Sequence, residues 1–141
     1  MKTKHKAFSI LLAVLLCVSM AISASAELET EDNVGIYAIL RGSSIQDPKD
    51  VNLLNTVTSV KVNPDNAYLQ TNVEYTDGIN CLTRLSERGV NGATSFKYDF
   101  PIYFYLSGIP QMAYVAHCVQ GGSQSKEGYA CYTKTPIKIG Q

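Results

Sequence analysis

Histidine is almost missing from this chain. His5 and His117 are the two present, and His5 falls in a stretch that looks like a removable leader. A single remaining histidine excludes a His-rich zinc site. Its neighbour Cys118 points to the opposite face of any strand, so the two cannot share a metal locally. Clusters of lysine and arginine are missing too, which argues against a nucleic-acid surface. No Gly-rich loop leads from a strand into a helix, no EF-hand spacing occurs, and no Asn has Ser or Thr two residues on. No cofactor is therefore expected. There is no internal repeat and no low-complexity tract. No second long apolar run follows the first, so no stable membrane insertion is expected.

The first run has the three parts of a secretory signal. Lys2, Lys4 and Lys6 precede an apolar segment from Ala7 to Ile22, and Ala24-Ser25-Ala26 supplies a small-residue cleavage site. The expected organisation is a signal peptide at 1–26, an acidic disordered leader at 27–33, and one β-domain at 34–141. The protein is expected to be secreted. The whole chain holds 12 basic and 12 acidic residues. Losing the three lysines leaves a net charge of −3, which argues against attraction to anionic lipid.

The strongest pattern in the remainder is Phe96 to Leu106. Phe96, Tyr98, Phe100, Ile102, Phe104 and Leu106 alternate with Lys97, Asp99, Pro101, Tyr103 and Tyr105. Period-2 alternation gives a strand with one buried face, and all six even positions are expected inward. Pro101 cannot donate to a ladder, so the strand is an edge, bends there, or divides. Further strands are expected at Val34–Leu40, ended by Arg41-Gly42-Ser43-Ser44, at Val51–Val62 and at Ala67–Tyr75. Turns are expected at Asp47–Asp50 and Asn63–Asn66, where Pro fixes φ. Thr76-Asp77-Gly78 is expected as a three-residue hairpin loop. It would set Tyr75 against Ile79 and Val73 against Cys81, because only odd-with-odd pairing brings the apolar residues together. A short helix over 80–88 is the competing form. Gln111–Val119 and Tyr129–Thr135 make a final hairpin around a Gly- and Ser-rich loop at 120–128. Seven or eight strands of this kind point to an all-β, single-domain antiparallel β-sandwich or barrel.

Cys81, Cys118 and Cys131 remain after cleavage, and export permits disulfides. The expected bridge joins Cys118 to Cys131 across the final hairpin, setting Ala116 against Thr133 and His117 against Tyr132. Cys81 with either of these, or no bridge, are the alternatives. Nine tyrosines are present, several off the expected core face. Tyr carries apolar area and a polar tip, so Tyr103, Tyr105, Tyr129 and Tyr132, with His117, form the candidate contact set. The expected function is binding of an extracellular protein or glycan. A secreted toxin or antimicrobial protein is one alternative. An extracellular hydrolase using Cys81 or a carboxylate with His117 is another.

Overall fold

The structure is a computed structural model that describes residues 30–105, 107–122 and 128–139. Among the described residues, eight strands form two antiparallel sheets packed as a β-sandwich. They are β1 (Thr30–Asn33), β2 (Ile39–Gln46), β3 (Leu53–Val60), β4 (Tyr68–Thr76), β5 (Cys81–Arg88), β6 (Ser95–Pro101), β7 (Met112–Gln120) and β8 (Tyr129–Pro136). One sheet has the order β1-β2-β3-β6 and the other β5-β4-β7-β8. Among the described residues no helix is long and apolar enough to cross a membrane.

Alternation decides which way each strand faces. β4 buries Leu69, Thr71, Val73 and Tyr75 and turns the even residues between them outward. β7 does the same with Ala113, Val115, His117 and Val119. Opposite them, Leu54, Thr56 and Thr58 of β3 pair with Phe100, Tyr98 and Phe96 of β6. The three aromatic rings of β6 follow one another at centroid distances of 6.1 and 4.8 Å.

The core has an apolar cluster at each end and a polar seam between them. Val34, Tyr37, Leu40, Leu69, Val119 and Cys131 belong to one cluster. Leu54, Val73, Tyr75, Phe100, Val115 and Ile137 belong to the other. Between them His117, fully buried, links the sheets. Its Nδ1 lies 2.8 Å from Thr58 Oγ1 and its Nε2 2.8 Å from Thr133 Oγ1. Thr58 continues to Thr71 at 2.8 Å. Ser44 Oγ lies 2.8 Å from Thr133 Oγ1 and 2.6 Å from Thr135 Oγ1. Every hydroxyl of the seam has a partner, which is what allows it to lie inside the sandwich.

Five expectations need correction. Thr30–Asn33, placed in a disordered leader, pairs with β2. Residues 35–37 form a short 3-10 turn, and β2 begins at Ile39. Arg41-Gly42-Ser43-Ser44, expected to end a strand, lies inside β2. Gly42 is there because a Cβ on it would run into the imidazole of His117. The β4–β5 hairpin pairs odd with odd as expected, but Val73 faces Leu85 and Tyr75 faces Thr83. The turn is longer because Asp77 Oδ1 accepts from the backbone N–H of Ile79 and Asn80, and the ladder slips between Tyr75 and Thr76. Finally, the inward alternation from Phe96 stops at Ile102. The strand ends at Pro101, the chain turns away, and Phe104 is 66% exposed. Leu106 lies outside the described residues.

Candidate functional site

The outward residues of β5-β4-β7-β8 form three rows across the sheet. Register sets Arg84, Glu74, Tyr114 and Lys134 in one row. Ser86, Asn72, Ala116 and Tyr132 make the next, and Arg88, Gln70, Cys118 and Ala130 the third. The middle row is low because Ser86, Asn72 and Ala116 are short. Tyr132 closes its β8 end, and Arg84, Glu74 and Tyr114 stand along one side. The result is a trough of about 490 Å³ lined by Asn72, Glu74, Arg84, Ser86, Tyr114 and Tyr132 among others.

Hydrogen bonds fix the floor. Gln70 Nε2 donates to Asn72 Oδ1 at 2.8 Å and to Ser86 Oγ at 2.7 Å. Ser86 Oγ donates to Asn72 Oδ1 at 2.6 Å, and Gln120 Nε2 donates to Gln70 Oε1 at 2.7 Å. Arg84 Nε reaches Glu74 Oε2 at 2.7 Å. That bond and the Glu74 charge hold the Arg84 pKa above its usual value. Burial pushes the Cys118 thiol's pKa up, a hydrogen bond from Asn72 partly opposing it, so Cys118 stays a thiol and a poor nucleophile. Among the described residues no group of three or more His, Cys, Asp or Glu could hold a metal ion.

The candidate contact residues do not meet in one patch. Tyr132 is 70% exposed and walls the trough. Tyr103 is 58% exposed at one end of the sandwich, beside the β2–β3 turn, and Tyr105 is half-buried in the same segment. Tyr129 is half-buried at the other end, edge-on to Tyr37 at 6.2 Å. His117 is in the core and cannot touch a ligand at the surface. Both its ring nitrogens are taken by threonines, and Cys81 lies on β5 away from them, so no Cys81–His117 pair forms.

The expected Cys118–Cys131 bridge is also absent. The final hairpin is one residue out of the assumed register: Cys118 faces Ala130, Cys131 faces His117, and Ala116 faces Tyr132. Cys118 therefore points out and Cys131 in, and no disulfide joins them. The loop at 123–127 lies outside the described residues.

Tyr114, Asn72, Glu74, Arg84 and Ser86 were not anticipated. One signal was available: Ala113, Val115, His117 and Val119 as an inward set leave Tyr114 and Ala116 outward. No protein-family model, curated protein or solved structure matches the chain.

Proposed function

We propose that this is a secreted binding protein whose ligand lies in the trough on the outer face of β5-β4-β7-β8. One observation carries the reading: two outward tyrosines, Tyr114 and Tyr132, flank a floor of short side chains that are already hydrogen-bonded to one another. Amphipathic aromatics over a mainly apolar floor carrying a few fixed polar groups are the usual make-up of a recognition surface. The floor loses little rotamer freedom when it is covered, because Asn72 and Ser86 are held beforehand by each other and by Gln70 beside them. Export is supported by Lys2, Lys4, Lys6 and the apolar run to Ile22. The absence of a Cys81–His117 pair removes the geometry a thiol hydrolase would need.

Protein-observed NMR with mixed small probes (apolar aromatics, sugars and short peptides) tests the site before any ligand has been identified. Shifts should concentrate at residues 72–74, 84–86, 114–116 and 132–133. Shifts concentrated at residues 103–109 instead, or none for any probe class, would reject it.

A further inference from the structure

We infer that the trough takes a neutral oligosaccharide chain. The inference rests on the reading of the trough as a binding site and names what fills it. Four features point the same way.

The first is the pair of rings. Tyr114 and Tyr132 are 49% and 70% exposed and sit as diagonal neighbours on β7 and β8. Among the described residues neither ring is paired with another aromatic ring. The C–H face of a pyranose packs flat on such a ring, and the phenol hydroxyl at its edge can donate to or accept from a sugar hydroxyl.

The second is the chemistry of the floor. Asn72 and Ser86, braced from the next row by Gln70, present an amide and a hydroxyl, which are neutral donors and acceptors like those of the sugar itself. Asn72 Nδ2 makes a long 3.6 Å contact to Cys118 Sγ, a weak acceptor, so the Asn72 amide is not committed to a strong donor bond.

The third is charge. Glu74 and Arg84 neutralise each other at 2.7 Å, and Arg88 is stacked over the Tyr68 ring at 4.9 Å. Lys134, the third exposed cation of this face, stands at the opposite, β8 end of the Tyr114 row from Arg84. Anionic chains are held by clustered cations, and this face does not present a cluster.

The fourth is placement. The trough lies over β4 and β7, whose backbone groups are paired with neighbours on both sides. A peptide bound by strand addition needs a free sheet edge. Here no free strand edge is offered, which suits a chain that brings its own hydroxyls. Four strands span about 14 Å, the length of a short oligosaccharide.

The test uses residues 27–141, titrated with neutral oligosaccharides of glucose, N-acetylglucosamine and galactose, with an oligouronate and with a tetrapeptide. At least one neutral series should give saturable shifts at residues 72–74, 84–86, 114–116 and 132–133, tightening with chain length up to about three rings. Tyr132→Ala and Tyr114→Ala should each weaken it on the order of tenfold. Tyr103→Ala, at the far end of the sandwich, should leave it unchanged. Melting curves of the variants show that the fold is kept. If apolar aromatic probes bind in the trough and no neutral sugar does, the sugar assignment is wrong and the trough reading stands. If the oligouronate or the peptide alone binds, the neutral-ligand claim is wrong. If no probe of any kind binds there, both readings fall.

Discussion

His117 is a side chain whose neighbours were out of reach of the sequence but whose direction was not. Ala113, Val115 and Val119 share its parity, so alternation already put it on the apolar face. Thr58 and Thr133, which satisfy its nitrogens, come from strands far away in the chain, and nothing local announces them. Burial lowers its pKa from 6.5 to about 4. The unfolded chain takes up a proton near pH 6.5 and the folded one does not until about pH 4. The neutral ring therefore contributes fully above the unfolded value, and that contribution is lost as pH falls from about 6.5 to about 4. It amounts to about 3 kcal/mol. Urea midpoints measured across this range should fall more steeply for the native chain than for His117→Gln, whatever the variant's stability at neutral pH. Parallel slopes would contradict this. Two neighbours should be costly to change. Gly42→Ala drives a methyl into the imidazole and should cost about 3 kcal/mol, read as a lowered urea midpoint. Thr133→Val removes the shared partner of His117 and Ser44 and should cost about 1–3 kcal/mol by the same measurement.

At the level of elements, sequence patterning worked where a strand is buried on one face and failed where register or a turn decides. β4 and β7 were legible, as was Phe96 to Ile102. Past Pro101 the same alternation continues in the sequence, yet the chain has left the sheet, and Phe104 stands in solvent. The Thr76–Gly78 loop had the right parity but the wrong length, since Asp77 captures two backbone N–H groups and lengthens the turn. In the last hairpin the two cysteines suggested a register that apolar patterning does not support. Val115 opposite Thr133 and His117 opposite Cys131 put inward residues together, and the cysteine pairing would have split them. Two measurements check this. Alkylation of the denatured, unreduced protein should modify three cysteines, Cys81, Cys118 and Cys131, where a bridged pair would leave one. Ala130→Cys should cross-link with Cys118, its direct partner, and leave Cys131 reduced.

For the molecule as a whole, the number of strands and the turns between them were enough for a β-sandwich. The order β5-β4-β7-β8 was not, because β4 and β7 are neighbours across an excursion through the other sheet. The trough exists only in that order: β4 supplies Asn72 and Glu74, and β7 and β8 supply the tyrosines. The tyrosines first singled out are spread over the whole sandwich instead. Tyr103, with Phe104, Ile109 and Ile79, belongs to an exposed apolar end formed by the β4–β5 turn and the segment after β6, and this end is the competing surface. The most direct test labels all nine tyrosines with 3-fluorotyrosine and follows their fluorine resonances as neutral oligosaccharide is added. Two resonances, assigned by Tyr114→Phe and Tyr132→Phe, should move and saturate together while those of Tyr103, Tyr105 and Tyr129 stay in place. Movement of Tyr103 and Tyr105 with Tyr114 and Tyr132 unmoved would put the ligand at the wrong end of the sandwich and contradict the account.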